Sequence, residues 1–144
     1  MILYLDTSAL IKLYVAEEHS ALMRRTMLQA ETAATHAISY LETRAAFARL
    51  ARDSAISHRH HEAITREFQT DWPNYAQLQV SQTLLERAAE LAQAFALRAY
   101  DSLHLAAADF LRRQINEPAL FACFDRKLNR AAKVIELAVL NVAA

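Results

Sequence analysis

Two short apolar runs, Ile2-Leu3-Tyr4-Leu5 and Leu120-Phe121-Ala122-Cys123-Phe124, break onto aspartates, Asp6 and Asp125, and each gives way to helix-like sequence. An unbroken apolar run ahead of a helical pattern predicts a strand covered on both faces, as in a parallel sheet. Ligands of open α/β sheets bind beyond the carboxyl ends of such strands, so the two aspartates point to one shared edge.

The segments between them follow the same alternation. Thr7 or Ser8 caps a short helix through about Tyr14, Glu17-Glu18-His19-Ser20 separates it from a helix through Gln29, and Thr32 to Ala37 is a weak strand. From Ser39 to Arg52 the positions Leu41, Ala45 and Ala48, with Phe47 and Leu50, recur at helical spacing, and Arg44, Arg49 and Arg52 fall elsewhere on the surface. A polar helix over Ser57 to Glu67, a break at Trp72-Pro73-Asn74 and a strand over Ala76 to Val80 come next. Leu84, Leu85, Ala88, Leu91, Ala92 and Phe95 form one helical stripe. Leu103, Ala106, Ala107, Phe110 and Leu111 form another, which Pro118 ends. Beyond Asp125 a short helix over Arg126 to Lys133 leads into a last apolar run, Val134 to Val142, read as a strand. Strands alternating with helices predict an α/β fold, a three-layer α/β/α sandwich with a mostly parallel central sheet, in a single domain over 1–144.

Composition narrows the function classes. The 16 basic and 16 acidic side chains cancel, so a polyanion would have to be held by a local cluster of cations or through metal ions. A single cysteine, Cys123, leaves no intrachain disulfide framework or Cys-rich zinc site. Glycine is absent, which removes the phosphate-cradling P-loop and the dinucleotide fingerprint. The apolar start lacks a basic leader and is cut by Asp6, so neither a signal peptide nor a membrane span is expected, and the cytoplasm is the expected location.

Four acids fall at element boundaries: Asp6, Glu42, Asp101 and Asp125. Each has a local role open to it. Ser39-Tyr40-Leu41-Glu42 matches a capping box, Asp101 suits a first helical turn, and Asp6 and Asp125 can cap the helices that follow them. Local capping does not require that all four meet at one edge, which a parallel sheet would allow. Carboxylates gathered with no lysine or histidine between them repel unless cations such as Mg²⁺ or Mn²⁺ sit among them, and those ions activate water against phosphodiesters. Asp109, eight positions after Asp101, lies about 12 Å further along the same helix and is excluded from that group. His58, His60 and His61 read as a solvated helix start, and His104 as a packing or surface hydrogen-bonding residue more readily than as part of a metal edge. No serine has a nucleophile-elbow context. Among the basic residues, Arg98, Arg126 and Lys127 neighbour the candidate ligands and are best placed to hold phosphate.

Asp6-Thr7-Ser8, Glu42, the stretch Leu97-Arg98-Ala99-Tyr100-Asp101-Ser102-Leu103-His104-Leu105-Ala106-Ala107 and the stretch Phe121-Ala122-Cys123-Phe124-Asp125-Arg126-Lys127-Leu128 together resemble a PIN domain. More narrowly, they resemble the VapC ribonuclease toxins of type II toxin-antitoxin systems, from Met1 to about Val142. That resemblance implies Asp6, Glu42, Asp101 and Asp125 as the acidic metal ligands and catalytic set, Asp6 and Asp101 the most direct, with Ser8 positioning Asp6 or a water. It further implies an endoribonuclease dependent on Mg²⁺, with Mn²⁺ as a substitute, a homodimer, and a cognate VapB-like antitoxin. Cys123 stands where relatives commonly carry Thr or Ser. The alternative from another class is a non-catalytic PIN-like module that binds RNA or protein.

Overall fold

The computed structural model describes residues 1–141. In chain order the elements are β1 (Ile2–Leu5), α1 (Thr7–Ile11), α2 (Ser20–Gln29), β2 (Thr32–His36), α3 (Ile38–Arg52), α4 (His58–Asp71), a 3-10 turn (Trp72–Asn74), β3 (Ala76–Leu78), α5 (Gln82–Phe95), α6 (Ala99–Gln114), β4 (Ala119–Ala122), α7 (Arg126–Val134) and β5 (Ala138–Val139). The strands form one sheet in the order β3-β2-β1-β4-β5. Every pairing is parallel, with Tyr4 opposite Ala34 on one side and Phe121 on the other.

The central strand accounts for the unbroken apolar run at the start of the chain. Successive strand side chains point to opposite faces. Ile2 and Tyr4 join the core containing Leu84 and Leu91 of α5, Leu105 of α6 and Leu128 of α7. Leu3 and Leu5 join the opposite core, with Leu10, Met23, Phe47, Ile64 and Phe68. Both faces are covered by helices, so no position of β1 is left for a polar residue, and each fully buried Leu contributes about 2 kcal/mol. The result is the expected three-layer α/β/α sandwich.

The strand order also fixes where a crevice opens. From β1 the chain steps outward to β2 and β3, then crosses back to place β4 on the other flank of β1. Between β1 and β4 the direction of winding reverses, and the helices that follow the two strands diverge there. Asp6 comes directly after β1, and Asp125 lies three residues beyond β4.

Several local expectations change. Helix α3 starts one residue early at Ile38, Ala37 occupies its N-cap without a side-chain bond, and Ser39 is buried with its Oγ 2.7 Å from Thr35 Oγ1. The capping box at Glu42 is therefore not formed. Asp6, rather than Thr7 or Ser8, caps α1. The last apolar run is split: α7 continues through Val134, Glu136 turns the chain at φ 66°, and only Ala138–Val139 is strand. Val142 lies outside the described residues. Without glycine, left-handed backbone falls on His19, Ser54, Ala96 and Glu136. No helix among the described residues is long and apolar enough to cross a membrane.

Candidate active site

All four acids line one open cleft of about 650 Å³ at the β1/β4 switch point, together with Thr7, Ser8, His104, Arg49 and Arg98. Parallel pairing puts the ends of β1 and β4 side by side, and α3 and α6 bring Glu42 and Asp101 to the same edge.

Asp6 and Asp125 are built alike. Asp6 Oδ1 accepts from Ala9 N–H at 3.0 Å and from Ser8 Oγ at 2.7 Å. Asp125 Oδ1 accepts from Leu128 N–H at 2.8 Å. Each is the N-cap of the helix after it, so capping and the cleft are not alternatives: the cap bond fixes the carboxylate and aims it. Asp6 is only 4% exposed. Burial pushes its carboxyl above the ordinary value, against the opposing influence of His104, Ser8, Ala9 N–H and Cys123. Cys123 is buried, its thiol is pushed far up by burial, and its Sγ lies 3.3 Å from Asp125 N, which donates to it. The neutral thiol also approaches the backbone carbonyl of Asp125, with its Sγ 3.6 Å from that oxygen.

Glu42 is held differently, and here the sequence reading of His104 is revised. Glu42 Oε1 accepts from Thr7 Oγ1 at 2.6 Å and lies 2.9 Å from His104 Nε2. The other ring nitrogen of His104 is 2.8 Å from the hydroxyl of Tyr4. A histidine does sit among the carboxylates, buried and bonded on both sides. Burial alone would raise the Glu42 carboxyl, but the bonds from His104 and Thr7 hold it below the usual range. The same burial, with Asp6 and Glu42 nearby, keeps Tyr4 firmly protonated. His36, beneath this group and fully buried, accepts from Ile38 N–H at Nδ1 and is lowered to about 4 by burial and His104. It is neutral at physiological pH.

Asp101 stands in the first turn of α6, its Oδ2 3.3 Å from Arg98 Nε. Arg98 is 85% exposed, so the guanidinium is free to swing to a ligand. Arg49 reaches the same cleft from α3.

The donor chemistry fits a hard divalent cation: four carboxylates line the cleft and no thiolate competes with them. As the side chains stand, no three acidic, histidine or cysteine groups among the described residues close around one point. Mg²⁺ does not require that, since it usually takes one or two carboxylates directly and keeps waters for the remainder.

The residues set aside from sequence fall elsewhere. Asp109 is buried amid Arg112, Arg113 and Arg87, a charge cluster tying α5 to α6. His58 and His60 are exposed and His61 half-buried in the first turn of α4, with Ser57 as the cap and His58 paired to Glu62. Tyr4 carries no chemical signal in the sequence, and Thr7 enters it only as a candidate cap and as part of Asp6-Thr7-Ser8. Strand alternation places Tyr4 on the α6 face, and Asp101 and His104 are one turn apart, but their meeting depends on the α6–β1 packing.

The sequence matches the PIN domain family over residues 3–134. It is 30% identical to the Ribonuclease VapC45 of Mycobacterium tuberculosis (strain CDC 1551 / Oshkosh) over 132 residues, 91% of this chain and 89% of the relative. Among solved structures, the FitAcB crystal structure from Neisseria gonorrhoeae superposes with a TM-score of 0.72 at 18% identity, covering 98% of this chain and 97% of that one. A toxin-antitoxin complex from Klebsiella pneumoniae superposes with a TM-score of 0.59 at 18% identity, covering 81% and 82%.

Proposed function

This chain belongs to the PIN domain family, and we propose that it is a Mg²⁺-dependent endoribonuclease, the toxin of a type II toxin-antitoxin pair. The observation that carries the reading is the gathering of Asp6, Glu42, Asp101 and Asp125 along one cleft at the topological switch point, with Arg49 and Arg98 beside them. An acidic centre flanked by exposed arginines suits a phosphodiester: the arginines bind the phosphate, and the acids need a cation before that phosphate can approach.

In this reading Asp6 and Asp101 are the direct holders of the cation, with Glu42 and Asp125 completing the acidic edge. When bound, the cation lowers the pKa of water and neutralises charge on the phosphate oxygens. The chain's own residues set the geometry. Ser8 and Ala9 N–H fix Asp6, Leu128 N–H fixes Asp125, and Thr7 and His104 fix Glu42. Arg98 exchanges Asp101 for a phosphate oxygen. Water attacks phosphorus in line and gives up a proton to solvent, the bond from phosphorus to O3′ breaks, and the leaving O3′ takes up a proton from solvent, so the products carry 5′-phosphate and 3′-hydroxyl ends.

We read 1–144 as one such domain, acting in the cytoplasm as a homodimer. A VapB-like antitoxin as partner is supported by the structural likeness to a toxin-antitoxin complex. The test is RNA cleavage by purified protein under Mg²⁺ or Mn²⁺ titration, reversed by EDTA and absent in Asp6→Asn and Asp101→Asn. RNA binding with no metal-dependent cleavage would defeat this reading in favour of a binding module.

A further inference from the structure

Outside the cleft, α7 carries a run of cations along its exposed face. Arg126, Arg130 and Lys133 recur at i, i+4 and i+7, which places them within one narrow stripe roughly 10 Å long. The opposite face, Leu128, Ala131 and Ala132, is buried in the core. The three cations, with Asn129, Asn141 and Leu140, line a second open cavity of about 570 Å³ between α7 and the end of β5. None of the three forms an ion pair among the described residues, whereas in the first cleft Arg49 is near Asp53 and Arg98 near Asp101. Helix α7 contains no acid.

Helix stability does not account for this pattern. Cations near a helix N-terminus oppose the macrodipole, and like charges at i, i+4 repel; only Lys133, in the last turn, is favoured locally. In a chain whose formal charge is zero, the excess is a local feature and calls for a local anion. Its position says which. Arg126 follows Asp125 directly, so the stripe starts at the lip of the acidic cleft and leads away from it. A strand whose scissile phosphate sits in the cleft would place neighbouring phosphates along α7. Asn129 holds the helix in place, its Nδ2 donating to Cys123 O at 2.9 Å at the end of β4.

We propose that the Arg126-Arg130-Lys133 face of α7 is a phosphate-binding track for single-stranded RNA that flanks the cleavage point. The proposal rests on the ribonuclease reading and adds a second RNA-binding region to it. Chains long enough to reach α7 bind through both regions, and very short ones through the cleft alone.

The experiment measures fluorescence anisotropy of two labelled single-stranded RNAs, of about 4 and about 20 nucleotides, in EDTA across a KCl series, for the full chain and for Arg130→Ala/Lys133→Ala. Both residues are exposed, and circular dichroism checks that the variant folds. The expected result is a roughly tenfold loss of affinity for the longer RNA at low salt and a fall of about 1.4 in its log–log salt slope, at about 0.7 for each phosphate no longer neutralised. Binding and Mg²⁺-dependent cleavage of the short RNA stay as they were. A control pair on α2, Arg24→Ala/Arg25→Ala, removes the same charge and leaves the slope unchanged. Unchanged long-RNA affinity and slope in the α7 variant would overturn the proposal. So would normal RNA binding together with lost binding of a labelled polyglutamate peptide, which would assign the face to an acidic protein segment. If the full chain cleaves neither RNA but the α7 slope change is seen, the cleavage reading fails and the track stands; if it cleaves and the slope is unmoved, the reverse holds.

Discussion

The bond between Tyr4 and His104 offers the sharpest check on how the site is held. Both residues are almost fully buried, at 1% and 2% exposure, and the Tyr4 hydroxyl lies 2.8 Å from His104 Nδ1. Replacing His104 by leucine strands the hydroxyl, at a cost of about 1–3 kcal/mol, and removes a charge-assisted bond to Glu42. The second loss is smaller, about 1 kcal/mol, because Glu42 is 24% exposed to water and keeps its bond from Thr7. His104→Leu should therefore destabilise by about 2–4 kcal/mol. Tyr4→Phe keeps the ring stacked on Phe121 and should cost about 1–2 kcal/mol. In the double variant the stranded hydroxyl is gone, so its cost should fall short of the sum by about 1–2 kcal/mol. Urea denaturation of all four proteins, with unchanged m values, measures this directly. Costs that add to within about 0.5 kcal/mol would refute the idea that this bond supports the site. The acid side gives an independent reading. Glu42 has a folded pKa below its ordinary 4.5, so its stabilising contribution is complete above that value and is lost as pH falls through the folded pKa. His104→Leu should make that acid-side loss shallower.

Asp6→Asn should abolish cleavage and yet raise the urea midpoint of the metal-free protein near neutral pH. A carboxyl whose folded pKa is raised favours the folded state less as pH climbs from the unfolded value through the folded one, and asparagine keeps the N-cap without the charge; an unchanged or lower midpoint would contradict the burial argument. Mg²⁺ at about 100 times its Kd should stabilise the parent by about 2.7 kcal/mol and leave Asp6→Asn unmoved, read by thermal shift. Asp109→Asn should cost about 2–3 kcal/mol because three arginines lose their shared partner, while cleavage per folded molecule stays at the parent level. Ala96→Gly, at φ 54° after α5, should gain about 0.5–1 kcal/mol by relieving left-handed strain; a loss would show that the turn is not strained.

The fold was legible because its central strand is buried on both faces. A four-residue apolar run broken by an aspartate fits few elements besides such a strand, and the helical stripes of α5 and α6 repeat clearly enough to set the alternation. Helix boundaries were less legible where polar residues have two uses. Ser39 reads as a cap, yet it bonds Thr35 in the interior, and the choice depends on β2 lying against α3. The tail departs from its pattern because Val134, Leu137 and Val139 are apolar whether they end a helix or continue a strand. The turn at Glu136 that separates them carries no glycine to announce it.

The identity and boundary positions of Asp6, Glu42, Asp101 and Asp125 were set by the sequence, as was the exclusion of glycine-loop nucleotide sites. Those are local properties: what each side chain is, and whether it falls where a helix or strand ends. The company of each acid is a tertiary property. Parallel pairing of β1 with β4 brings Asp6 and Asp125 to one edge, and the packing of α6 across β1 inserts His104 between Tyr4 and Glu42, residues 100 and 62 positions away. Pairings at that separation leave no periodicity in the chain. Only the folded sheet decides that these carboxylates share a cleft, that a histidine sits among them, and that the cations of α7 lead out from it.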